Sequence, residues 1–202
     1  VMLGNLHPLV QNAVLEQMAE KPKLVVLDTM NFWMDIAMPE LKAVIKKVDV
    51  ITINDEEARQ LSGEYSLLIA AEKIQAMGPK YVVIKKGEHG ALIFHDEHIF
   101  FAPALPLADV YDPTGAGDTF VGGFIGYLAQ TNDISFENMR KAIVYGSAMA
   151  SFCVEKFGTE RLFEVTASDL EARVGEFKEL AQLFSKSPDN RFYFVATRVL
   201  SI

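Results

Sequence analysis

The sequence predicts an α/β protein built on a doubly wound, mostly parallel sheet. Three observations predict it. Short apolar runs recur and close on polar residues, segments of helical periodicity separate those runs, and a glycine-rich turn opens a helix. Half of the 202 residues are hydrophobic and 23% are charged, which is enough apolar material for a packed core.

The elements follow in order. Val1 to Asn5 read as the end of a buried strand, and because Val1 is not a normal initiator, chain upstream of it is expected. Residues 8–18 carry helical periodicity and lead into the apolar run 23–28, which ends on Asp28. Residues 38–48 read as a helix and 49–54 as the next strand, again with a polar ending. A helix over 56–61 and another over 70–77 precede a third buried strand, Tyr81–Lys85. Gly87 and Gly90 then mark turns, and 91–94 with 98–101 form an antiparallel pair. A helix over 115–130 begins with small residues and carries Phe120, Phe124 and Leu128 on one side. A second small-residue helix spans 140–154, with Ala142, Gly146, Ala148 and Ala150, so close backbone packing is expected. Residues 168–183 form an amphipathic helix with Ser168 at its N-cap. The catalytic core is expected over 1–184. Residues 185–202 form a separate tail in which Ser187 to Asn190 signal a turn and 192–202 look strand-like.

Nineteen basic against 27 acidic side chains give a net charge of −8, which offers no broad electrostatic footprint for nucleic acid or an anionic membrane. No run approaches the ~20 apolar residues of a membrane span. The single cysteine, Cys153, leaves no internal disulfide framework and fits a reducing, cytoplasmic compartment. The four histidines show no ligand spacing.

In a parallel sheet, ligands collect beyond the carboxyl ends of the strands. Four polar segments fall there: Asp28 to Asn31, Asn54 to Glu57, Lys85 to Gly90, and Asp112 to Asp118. Gly115, Ala116 and Gly117 let peptide N–H groups approach an anion without obstruction, at a helix start that carries partial positive charge. Asp118 directly follows, where a carboxylate can take a proton from an alcohol beside donors that hold the migrating charge. The pattern points to phosphoryl transfer to a hydroxyl. No G-x-G-x-x-G follows the first strand, which argues against a dinucleotide-binding dehydrogenase.

The run Asp112-Pro113-Thr114-Gly115-Ala116-Gly117-Asp118-Thr119-Phe120 resembles the D-x-T-G-A-G-D-T-F signature of the ribokinase-like sugar kinases, the PfkB carbohydrate kinase family. The resemblance implies a catalytic base at Asp118, an anion hole at Gly115 to Gly117, and a monovalent-cation site, K⁺ for example, bordered by Asp112, Thr114 and Gly158. Asn54-Asp55-Glu56-Glu57 resembles the family's N-x-x-E motif, which implies that Asn54 and Glu57 order hydrated Mg²⁺ and the ATP phosphates. Lys85 to Gly90 is similar to the nucleotide-contacting T-x-G-x-x-G segment, so Lys85, Gly87, Glu88 and Gly90 are candidates, with Lys85 in place of the threonine. That lysine has two readings, a partner for phosphate oxygens or a solvated strand end. Ser147 falls where many relatives face the adenine with an Asn. Asp28-Thr29-Met30-Asn31 resembles a D-x-x-N stretch that reaches the substrate, implying a role for Asn31. The arginine that often follows is replaced by Phe32 and Trp33, which read as core more readily than as a ligand platform.

The resemblance covers roughly residues 1–183 and only the second part of a family member. It implies that the early strands, the lid and most sugar contacts lie outside these residues. The function expected is therefore ATP-dependent phosphorylation of a sugar or nucleoside-like alcohol, weak or nil in this chain alone. The alternative is a truncated, non-catalytic nucleotide-binding or assembly module. An unpaired strand edge near the N-terminus would favour association with another chain, a homo-oligomer among the options.

Overall fold

The computed structural model describes residues 1–181. Six strands form one sheet in consecutive order: β1 (Met2–Leu3), β2 (Val26–Asp28), β3 (Val50–Asn54), β4 (Tyr81–Lys85), β5 (Ala91–His95) and β6 (His98–Ala102). β1 to β4 run parallel, while β5 is antiparallel to both neighbours. β6 therefore points the same way as β4. Lys85 pairs with Ala91 and Ala91 with Ala102, so β6 ends at the edge where β4 ends.

Side chains alternate across the sheet with period two. Val25, Leu27, Ile51, Ile53, Val82 and Ile84 face one layer of helices, and Val26, Val50, Val83 and Ile93 face the other. The first layer comprises the crossover helices α1 (Pro8–Glu16), α2 (Asn31–Ile36), α3 (Met38–Ile45), α4 (Asp55–Ser62) and α5 (Leu67–Gln75). The second comprises α6 (Ala116–Thr131) and α7 (Phe136–Cys153), with α8 (Ala167–Leu180) against α7. The α/β class is as expected.

α6 and α7 approach closely because two glycines leave the space. A Cβ at Gly146 would lie 2.7 Å from the Phe120 carbonyl oxygen, and one at Gly123 would lie 2.9 Å from Met149 Cβ. This crossing fixes where α6 begins, and α6 begins at the candidate site.

Several boundaries differ from the sequence reading. α7 starts at Phe136 instead of residue 140, because the Ser135 side chain caps it from the Asn138 N–H and Asn138 Nδ2 ties back to Thr131 and Asp133. α8 is capped by Thr166, not Ser168: Thr166 Oγ1 accepts the Asp169 N–H while the Asp169 carboxylate accepts the Thr166 N–H. The short helix α2 occupies what reads as loop, and Pro39 in the first turn of α3 marks its separation from the next helix. The tail 185–202, with the strand-like run 192–202, lies outside the described residues.

Candidate active site

Four strand ends and the start of α6 meet at the carboxyl edge of the sheet. Asp28, the last residue of β2, is buried and accepts two hydrogen bonds on one oxygen: from Thr52 Oγ1 at 2.7 Å and from Lys85 Nζ at 2.9 Å. Lys85 closes β4, so its side chain crosses β3 to reach Asp28. The ion pair is sequestered, with 17% of the lysine and 8% of the aspartate side chain exposed. Lys85 is thus neither a solvated strand end nor free.

Asn54 closes β3 and caps α4 in a reciprocal box. Its side-chain oxygen accepts the Glu57 N–H, and Glu57 Oε2 accepts the Asn54 N–H, each at 2.8 Å. Burial pushes the Glu57 carboxyl above its ordinary range, against the pull of the Asn54 hydrogen bond and the Lys85 charge, while Asp28 adds to the rise. The backbone N–H of Asn31, at the start of α2, also faces this carboxylate. Asn31 itself is exposed, and its side-chain oxygen takes the Phe32 N–H. Phe32 is half exposed and stacks edge-on against Trp33.

After β4 the chain forms a 3-10 turn over Gly87–His89 and returns through Gly90. Gly90 has φ +92, and a Cβ there would collide with the Ala102 carbonyl and lie 2.9 Å from Ala104 N. Only glycine lets this turn lie so close to the strand after it. The turn, residues 104–107, the start of α6 and the α7 face at Ser147 enclose a cleft of about 700 Å³. Lys85, Gly87, Glu88, Gly90, Gly117 and Ser147 all line it, so six predicted nucleotide residues share one cavity wall.

The loop before α6 is tied to the end of α7. Tyr111 N–H donates to the Val154 carbonyl at 2.7 Å, and the Asp112 side chain accepts the Thr114 N–H at 2.9 Å. Hydrogen bonds from Thr114, and a weaker one from the Gly158 backbone, hold the Asp112 carboxyl below its ordinary range. Asp112, Thr114 and Gly158 therefore do come together, as the sequence suggests. Gly115 takes φ +81 as the N-cap of α6.

One detail of the expected anion hole changes. The Ala116 N–H already donates to the Pro113 carbonyl at 3.1 Å, leaving the amides of Gly117 and Asp118 without an acceptor among the described residues. Asp118, in the first turn of α6, is exposed and has no hydrogen-bond or ion-pair partner among the described residues. It does not line the cleft; neither do Asn54, Glu57 or Asn31. The predicted residues thus fall in three places: the cleft wall, the corner at Glu57, and the exposed Asp118, next in sequence to Gly117 of the cleft wall. Sequence reasoning missed Thr52 and the link from Asp28 to Lys85. A polar Thr inside the apolar run 50–53 was the available signal.

The residues fit a nucleotide and its metal. Unengaged amides stand at the start of a 16-residue helix, and a lysine stands beside them. No group of three or more acidic, histidine or cysteine side chains able to hold a metal occurs among the described residues. Mg²⁺ is commonly held through one or two carboxylates plus substrate phosphates, and Glu57 beside Asn54 is a carboxylate at this edge.

Residues 8–165 match the pfkB family carbohydrate kinase pattern. The chain belongs to that family. It is 38% identical over 90 residues to a cytidine kinase of Thermococcus kodakarensis, an alignment spanning 43% of this chain and 32% of the relative. A ribokinase of Arabidopsis thaliana is 30% identical over 140 residues, 66% of this chain and 35% of the relative. Among solved structures, the aminoimidazole riboside kinase of Salmonella enterica, complexed with aminoimidazole riboside and an ATP analogue, superposes with a TM-score of 0.66 at 29% identity over 75% of this chain and 52% of that one. The nucleoside kinase of Methanocaldococcus jannaschii shares the fold, with a TM-score of 0.70 at 22% identity over 87% and 56%. The pfkB chain described here spans about a third of these two curated relatives and about half of the two solved chains. No helix among its described residues is long and apolar enough to cross a membrane.

Proposed function

We propose that this chain carries the nucleotide side and the catalytic base of an ATP-dependent phosphotransferase whose acceptor is an alcohol of a sugar or nucleoside-like molecule. The supporting observation is the start of α6. There the unengaged amides of Gly117 and Asp118 and the unpartnered Asp118 carboxylate lie within one helical turn, beside a cleft of nucleotide size. Bound ATP with Mg²⁺ supplies the phosphoryl group and offsets its charge. The chain's own part is to orient and to move a proton. Asp118 Oδ takes the proton of the acceptor hydroxyl. The Gly117 and Asp118 amides and the helix end hold the charge that develops on the transferring group. Asn54 and Glu57 would hold Mg²⁺, which would offset the charge of the phosphates. Gly87, Glu88, Gly90 and Ser147 bound the nucleoside end, and Asn31 stands on the acceptor side. Asp112, Thr114 and Gly158 provide the oxygen-rich loop for a monovalent cation such as K⁺. A cytoplasmic location suits a kinase with one buried thiol.

A second reading is a non-catalytic nucleotide-binding or assembly module, which would use the same cleft without transferring a phosphoryl group. Leu9, Val10 and Val14 of α1 are exposed, an apolar surface suited to another chain. Calorimetry with MgATP, followed by mass spectrometry of products across sugars and nucleosides, separates the readings. Binding with any phosphorylated product supports the phosphotransferase. Binding with none favours the module, and absence of nucleotide binding sinks both.

A further inference from the structure

The Lys85–Asp28 pair is placed oddly for a structural salt bridge. Lys85 Nζ lies 3.3 Å from where a Cβ of Gly117 would stand, so an ammonium sits against the first turn of α6. That end of a helix carries partial positive charge, and a cation there is disfavoured unless an anion is shared. The anion now in contact is Asp28, through one oxygen that Thr52 also holds. Glu57 is near enough for both charges to act on it. The ammonium and the free amides of Gly117 and Asp118 therefore converge on one place.

Building on the phosphotransferase reading, we propose that Asp28 is a positioning residue that parks Lys85 over Gly117, and that Lys85 exchanges this carboxylate for nucleotide phosphate oxygens when ATP binds. Three features make the exchange feasible. The partner lost and the partner gained are both anionic oxygens, so Lys85 is never left unpaired. Asp28 keeps the Thr52 hydroxyl after release. Lys85 also already forms part of the wall of the nucleotide cleft, so its head group has only a short way to move.

The exchange predicts opposite effects from the two halves of one ion pair. Lys85→Met should weaken MgATP binding by roughly tenfold or more and leave adenosine within about twofold, since the loss is of a charged phosphate contact. Lys85→Arg should recover part of that loss. Asp28→Asn, which removes the competing anion, should tighten MgATP several-fold with adenosine again unchanged. Thermal unfolding of each variant checks that it folds. In the unmutated chain, the Lys85 ε-methylene NMR signals should shift on adding MgATP and stay in place with adenosine, a readout that needs no variant. A purely structural pair would weaken ATP and adenosine alike in both variants; that result, or Lys85 signals indifferent to MgATP, overturns the proposal. If the wild-type chain binds no MgATP, the phosphotransferase reading itself has failed and takes this inference with it. Binding with the wrong signs fails this inference alone.

Discussion

Replacing Gly146 by alanine tests how α6 is aimed. The new Cβ would stand 2.7 Å from the Phe120 carbonyl oxygen and 3.3 Å from two atoms of its ring, against the 3.4 Å at which ordinary contact begins. The nearest obstacle is backbone, so no rotamer change relieves it, and the two helices must part by about 0.7 Å. Overpacking of this kind costs ~1–3 kcal/mol. Removing a helical glycine returns up to ~1 kcal/mol, for a net loss centred on ~1 kcal/mol. At about 2–4 °C per kcal/mol for a chain of this size, Tm should fall by roughly 2–4 °C. Gly126→Ala, on the same α6 but with nothing within 4 Å of the added carbon, should gain the propensity term alone and raise Tm slightly. Phe120 also lines the cleft, as does Ser147, so Gly146→Ala should weaken nucleotide binding while Gly126→Ala should not. Circular dichroism melts and MgATP titration of both variants read this out. Equal stabilisation by the two substitutions would refute the close helix crossing and the alignment of α6 that depends on it.

The remaining predictions concern the edges of the site. Burial raises the Glu57 carboxyl, so the folded chain holds that proton more tightly than the unfolded chain, and wild-type stability falls as pH rises through the folded-state pKa. Glu57→Gln, which keeps an acceptor for the Asn54 N–H, should melt higher than wild type at pH 8. The gap should close as the pH drops below the ordinary Glu value of about 4.3, while Mg²⁺-dependent nucleotide binding is weakened throughout. A gap that does not change with pH would contradict the assignment. Gly90→Ala combines a glycine-only backbone conformation with a collision against the Ala102 carbonyl. It should cost at least ~3 kcal/mol in denaturant titrations, well above Gly87→Ala, where φ is +53 and the space is open.

The parallel strands were legible because a strand buried on both faces reads as a near-continuous apolar run: Tyr81 to Ile84 is unbroken, and Val50 to Ile53 is interrupted only by Thr52. The loop proposed to be catalytic could be singled out because its pattern is local: glycines and an aspartate within four positions need no tertiary information. What was not legible depends on contacts distant in sequence. Lys85 and Asp28 are 57 residues apart and meet across an intervening strand, and no spacing rule connects them. The capture of the Ala116 amide by Pro113 depends on the turn geometry at Gly115. The start of α7 was not legible because it rests on tertiary partners: the Asn138 side chain satisfies the groups that close the preceding loop.

The central claim is that Asp118 takes the proton while the α6 amides hold the phosphoryl group. Single-turnover transfer from radiolabelled ATP, followed beside MgATP titration, tests it in Asp118→Asn. Transfer should drop by at least the ~10²-fold typical of a lost general base, with the ATP dissociation constant within about twofold of wild type. Unchanged transfer, or ATP binding lost together with transfer, would contradict the account.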